Sequence, residues 1–213
     1  MITVKIENYT KVLKKTKVLD NINLVMESGK IYGFTGVNGS GKTMLFRAIA
    51  GLIKPTQGFV KINDESMENQ RAIMPNIGIV IENIGLYPEF TGFRNLQLLA
   101  SINKKINDEQ IKEAITRVGL NPEDKRIFRK YSLGMKQRIV LAQAIMEKPD
   151  ILLLDEPTNA LDEAGIKLIH NIIKDEAARG ALIAIASHSK EDIAALCDVK
   201  FRIANGTLEE MDL

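Results

Sequence analysis

The sequence predicts an α/β fold: a mostly parallel sheet covered by helices, with an antiparallel β-lobe and a helical insert. Three observations predict it. Four runs, residues 31–34, 77–81, 151–154 and 181–186, are almost uniformly apolar, as strands buried on both faces of a parallel sheet are. Three others, residues 3–9, 22–26 and 59–62, alternate apolar and polar positions and are bounded by turn residues such as Gly29 and Gly58. They fit half-exposed strands of a small antiparallel sheet. Helical periodicities lie between the apolar runs.

Taken in chain order, the alternating run 3–9 opens the β-lobe, and 22–26 and 59–62 complete it. The run 31–34 leads into a glycine-rich segment and then into a helical pattern from Met44 to Ala50. The stretch 93–119 is helix-rich, with Asn107 or Asp108 as N-cap before Glu109. A second helical pattern, 135–146, follows a Ser-Leu-Gly start. These two make up the helical insert, roughly residues 84–145. A third helix is predicted over 164–178, where Ile166, Ile169, Ile173 and Ala177 fall at intervals of three and four. No repeat, low-complexity tract or linker interrupts the chain, so residues 1–213 read as one domain, a length a single α/β domain can have.

The glycine-rich segment carries the chemistry. Residues 36–43 read GVNGSGKT and fit the phosphate-loop pattern G-x-x-x-x-G-K-[ST], with Gly36, Gly41, Lys42 and Thr43 at the defined positions. Chance assembly of those four positions in a chain of this length is on the order of one in a hundred. The strand before and the helix after supply the required context, which defines a P-loop NTPase core. Glycines let successive N–H groups of Val37, Asn38, Gly39 and Ser40 turn inward, and the helix N-terminus adds donors. Lys42 would reach the β- and γ-phosphates, and the Thr43 hydroxyl would ligate Mg²⁺.

A second constellation completes the site. Residues 151–156 are four apolar residues ending in Asp155 and Glu156, and a buried strand in an α/β fold presents its ligand chemistry at that carboxyl end. Asp155 would hold the nucleotide's Mg²⁺. Glu156 would orient or deprotonate the attacking water. His188 ends the run 181–186 through Ser187, and as the end of a neighbouring strand it is placed to touch the γ-phosphate. His170 flanks an amphipathic helix and reads as structural. In residues 131–138, YSLGMKQR, Ser132 opens a helix, which from physics alone is an ordinary cap.

In this order the pieces resemble the nucleotide-binding subunit of an ATP-binding cassette (ABC) transporter over essentially the whole chain. The resemblance implies that Ser132 and Gly134, in the place of the family signature Leu-Ser-Gly-Gly-Gln, face the phosphate loop of a second cassette. It implies that residues 159–162 form the dimer-contacting D-loop and that two ATP are sandwiched between the pair. It places Leu13 where the family has an adenine-stacking aromatic, and Glu82 where it has a metal-adjacent glutamine. Glu82 and residues 91–96 look like the bacitracin- and lantibiotic-type exporter ATPases. The implied function is ATP hydrolysis, with Mg²⁺, driving export through separate integral-membrane subunits. A cassette ATPase acting on a cytosolic assembly is the alternative.

Composition fits that expectation. A formal charge of +2 provides no basic field for nucleic acid. The single cysteine, Cys197, excludes an intrachain disulfide and suits a reducing compartment. No apolar run approaches the roughly 18 residues of a bilayer span, and the N-terminus lacks the features of a signal peptide. The expected location is cytoplasmic, on the inner face of the membrane through the membrane subunits.

Overall fold

The structure, a computed structural model, describes residues 1–66, 75–81 and 85–211. Strands β1 (Thr3–Leu13), β2 (Thr16–Glu27), β4 (Gln57–Ile62) and the short β5 (Glu65–Ser66) form an antiparallel sheet in the order β2-β1-β4-β5. Strands β3 (Ile31–Thr35), β6 (Ile77–Val80), β7 (Ile151–Asp155), β8 (Leu182–Ala186), β9 (Val199–Ala204) and β10 (Thr207–Glu210) form the second, ordered β10-β9-β3-β8-β7-β6. Every pairing from β9 to β6 is parallel, and β10 closes the edge antiparallel to β9.

The uniformly apolar runs have the reason expected of them. In β7, Leu152 and Leu154 face one core while Ile151 and Leu153 face another. In β8, Ile183 and Ile185 face the first core, and Leu182, Ala184 and Ala186 the second. The first core is shared with α2 (Gly92–Asn103), α3 (Asp108–Arg117), α4 (Leu133–Ile145), α5 (Glu163–Ala178) and α6 (Lys190–Leu196). The second is closed by α1 (Lys42–Ile49) and the antiparallel lobe, through Phe46 and Ile49 against Val4, Met26 and Val60. Both faces of a central strand are thus removed from water, and each needs an apolar side chain.

Three helices and a 3₁₀ turn at Phe128–Lys130 occupy the stretch read as the helical insert. Asn107 caps α3 reciprocally with Gln110, each side chain bonding the other's backbone N–H at 3.0 Å. The last helix, α4, also packs back on the sheet: a Cβ on Gly78 of β6 would stand 2.1 Å from the Ala144 carbonyl oxygen.

Two elements differ from expectation. Strand β1 does not end at Tyr9. Asn8 adopts a left-handed φ of 48°, and the pairing register shifts between Ile6 and Tyr9. That bulge lets consecutive residues Tyr9 and Thr10 both turn inward and the strand continue to Leu13. The β9–β10 hairpin and α6 were not anticipated. Val199, Phe201 and Ile203 alternate with Lys200 and Arg202, and Asn205-Gly206 forms the tight turn at φ 50° and 79°. Cys197 is buried as expected, its thiol pushed up to about 12 by loss of hydration. It fills the space against Gly33, where a Cβ would lie 2.7 Å from Sγ.

Candidate active site

The carboxyl ends of β3, β7 and β8 converge. Strand β8 lies between the other two, so its end bridges them: Ser187 N donates to Phe34 O at 3.1 Å, and Glu156 N donates to Ala186 O at 2.8 Å. The glycine-rich loop leaves β3 and enters α1. Gly39 and Gly41 take φ of 79° and 118°, conformations that cost a side-chain-bearing residue free energy. Gly36 is required for space, because a Cβ there would sit 2.3 Å from Ile203 O and 2.6 Å from Ser40 Oγ.

Inside the loop Lys42 is buried and its Nζ donates to Gly36 O at 2.7 Å and Val37 O at 3.3 Å. Among the described residues these carbonyl contacts pair the ammonium with no carboxylate. Ser40 is buried as well, and its Oγ has no hydrogen-bond partner among the described residues. An orphaned hydroxyl and a carbonyl-held ammonium within one glycine cradle fit a polyphosphate. Thr43, the next residue, donates its hydroxyl to Asp155 Oδ2. These two oxygens fit Mg²⁺, which takes few protein ligands and completes its shell with water and phosphate.

Glu156 follows at the end of β7 with φ 50°, a left-handed conformation uncommon for a residue with a Cβ. Its carboxylate is clasped by the end of β8. Oε1 accepts from His188 N at 3.1 Å, and Oε2 lies 2.8 Å from His188 Nδ1 and 3.5 Å from Ser187 Oγ. An ionised carboxylate can only accept, so the ring proton sits on Nδ1 and the imidazole is oriented by the acid.

A cleft of about 530 Å³ opens over these groups. Its polar lining comprises Asn38, Lys42, Thr43, Asp155 and Glu156, with Gly39 and Gly41. The apolar side chains in its wall are Val18 and Met44. Gly36, Val37 and His188 line an adjoining groove. The structure thus brings together the phosphate loop, Asp155, Glu156 and His188. It does not bring Leu13 into the cleft: that residue pairs with Thr16 at the β1–β2 hairpin and is 42% exposed. Tyr9 is buried and donates its hydroxyl to Ile53 O at 3.1 Å. Glu82 lies outside the described residues.

Ser132 and Gly134 lie in a separate concavity, with Leu161 and Asp162 of the D-loop segment. Ser132 is the N-cap of α4, its Oγ accepting from Met135 N at 3.2 Å. Gln137, one turn further, donates to the carbonyls of Glu156 and Pro157 at 3.1 and 3.3 Å, tying α4 to the acidic strand end. His170 is structural, as read. Its Nε2 lies 2.8 Å from Asp192 Oδ1, while Thr158 donates to Asp192 Oδ2 at 2.5 Å. Val18, Met44 and Gln137 escaped sequence reasoning, since a cleft wall and a helix-to-loop tie depend on tertiary packing. Asp192 alone carried a local signal, two residues into a Ser189-capped helix.

Fold and site define a phosphate-loop nucleoside triphosphatase. Residues 19–159 match the model of the ABC transporter family, and the chain belongs to that family as its ATP-hydrolysing cassette. It is 50% identical over 206 residues to YybJ of Bacillus subtilis, an uncharacterized ABC transporter ATP-binding protein, covering 97% of this chain and 94% of YybJ. It is 39% identical over 209 residues to the bacitracin transport ATP-binding protein BcrA of Enterococcus faecalis, covering 97% of this chain and 68% of BcrA. It is 34% identical over 194 residues to the lantibiotic transport ATP-binding protein SrtF of Streptococcus pyogenes, covering 91% and 83%. Among solved structures, the dimeric MJ0796, a bacterial ABC transporter cassette, superposes with a TM-score of 0.88 at 23% identity, covering 99% of each chain.

Proposed function

We propose that the chain powers export of a drug- or peptide-antibiotic-type substrate through separate integral-membrane subunits, working as a head-to-tail pair of cassettes. The observation that carries the catalytic part is the meeting of Lys42, the Thr43–Asp155 pair and the Glu156–His188 clasp at three adjacent strand ends. The named roles of the bacitracin and lantibiotic relatives support the export part.

In this reading Lys42 turns from the Gly36 and Val37 carbonyls to the β- and γ-phosphates. The loop amides and Ser40 Oγ stabilise charge that grows on the transferring group. Thr43 and Asp155, whose oxygens bond each other, would hold Mg²⁺, and Glu82 is assigned to the same metal from the family pattern. Bound Mg²⁺ supplies charge neutralisation at the β- and γ-oxygens. Glu156 orients the attacking water and takes its proton. His188 fixes the carboxylate, and its ring would contact the γ-phosphate.

Ser132 and Gly134 act on the nucleotide of the second cassette. Within one chain they line a concavity distinct from the phosphate cleft, which supports a composite site. Among the described residues no helix is long and apolar enough to cross a membrane. In this reading the cassette docks on the inner face of the membrane through separate membrane partners, which the named roles of the transport relatives support. Purification of the chain from its native membranes in detergent should recover a multi-span membrane protein with it at fixed stoichiometry. Separate elution would contradict the transporter assignment.

A further inference from the structure

We infer that Asp192 is a positioning residue for hydrolysis: from α6 its buried carboxylate locks the loop that carries Glu156 to the loop that carries His188. The inference rests on the assignment of Glu156 and His188 to the reacting end of the nucleotide. Thr158 stands two residues beyond Glu156, and Asp192 four beyond His188. Both are buried, at 8% and 5% exposure. Thr158 Oγ1 donates to Asp192 Oδ2 at 2.5 Å, and His170 Nε2 of α5 lies 2.8 Å from Oδ1. An ionised carboxylate can only accept, so Nε2 carries the imidazole proton and both oxygens of Asp192 are engaged.

That contact closes a ring. Asp192 N donates to Ser189 Oγ at 3.1 Å, Ser189 N to Ser187 Oγ at 3.0 Å, and Ser187 Oγ to Glu156 Oε2 at 3.5 Å. Pro157 joins Glu156 to Thr158 and completes the circuit. The Glu156–His188 clasp lies at one side of it, and the Thr158–Asp192 bond is the other, buried side. Apolar side chains could seal α6 against α5 without the cost of burying a carboxylate. A carboxylate with two donors fixes direction as well as distance, which two loops bearing reacting groups require. Glu156 needs such support, because its left-handed φ of 50° persists only where the surroundings over-determine it. Without the Thr158 bond one restraint on that backbone is gone, and the Glu156 carboxylate shifts from the attacking water. The hydrogen bonds of Lys42 and Thr43 involve neither Thr158 nor Asp192, so the grip on the nucleotide stays intact.

The test compares kcat and KM for MgATP in the wild-type chain, Thr158→Val, Thr158→Ser and Asp192→Ala, with Glu156→Gln as the reference. Thr158→Val keeps the side-chain shape and removes the hydroxyl. It should lower kcat by roughly tenfold or more, since misplacing a reacting group by about 1 Å costs up to about 10²-fold. KM should stay within about twofold, because binding is untouched. Thr158→Ser restores the donor and should return kcat to within about threefold of wild type. Joining Thr158→Val to Asp192→Ala should lower kcat no further than the more damaging single change, because both remove the same bond. A folded Thr158→Val with wild-type kcat overturns the inference, whatever its melting temperature, for a merely structural bond moves stability alone. A loss of kcat that Thr158→Ser shares, or a rise in KM at constant kcat, overturns it as well. Should Asp192→Ala not fold, the two Thr158 variants decide. Turnover by Glu156→Gln close to wild type would refute the site itself. Loss of turnover there beside full turnover in Thr158→Val would keep the site and sink the role of Asp192.

Discussion

Lys42 illustrates how one residue combines structural and functional demands. Its ammonium is buried against the Gly36 and Val37 carbonyls, contacts that tie the two ends of the loop together. A charge-assisted hydrogen bond is worth about 1.5–3 kcal/mol, so Lys42→Ala should weaken nucleotide affinity by roughly 10–100-fold. Fluorescent-nucleotide titration reads this directly, and unchanged affinity would mean that the loop does not grip phosphate. Lys42, Thr43, Asp155 and Glu156 were all legible in the sequence, because loop curvature and strand-end carboxylates are encoded locally. Leu13, assigned by register, lies exposed at the β1–β2 hairpin beside the cleft lining and not in it. Val18, on the second strand of that hairpin, is the lobe residue in the cleft wall.

At the level of elements, helix α4 joins the two halves of the site. Its N-cap Ser132 has two separable duties, capping its own helix and, in the proposed pair, meeting the partner's phosphate. Ser132→Asp keeps an acceptor for Met135 N and suits the positive end of the helix. It should hold the melting temperature near wild type and abolish ATP-dependent pairing by like-charge repulsion. Ultracentrifugation in MgATP distinguishes this from Ser132→Ala, which should cost about 1 kcal/mol of stability through the lost cap. The other end of α4 presses on β6. Gly78→Ala would drive a methyl into the Ala144 carbonyl, and overpacking of this kind costs about 1–3 kcal/mol. Thermal unfolding should show a drop of roughly 2–10 °C; an unchanged midpoint would mean that β6 and α4 are less tightly apposed.

Across the whole molecule, the division into a parallel sheet, an antiparallel lobe and a helical insert was legible because hydrophobic patterning differs among them. Runs buried on both faces are uniformly apolar, those buried on one face alternate, and the helices repeat every three to four residues. The edge hairpin β9–β10 obeys the same alternation but carries no motif of the site. Chain order could not reveal that β8 stands between β3 and β7, and that insertion is what brings His188 to Glu156. The central claim is that this convergence hydrolyses ATP with Glu156 acting on the water. The most direct test is steady-state ATP turnover by Glu156→Gln, whose amide keeps the side-chain shape but cannot take a proton. Loss of a general base costs about 10²–10⁴-fold, so turnover should fall by at least about a hundredfold while ATP binding persists and an ATP-bound dimer accumulates. Turnover close to wild type would contradict the account.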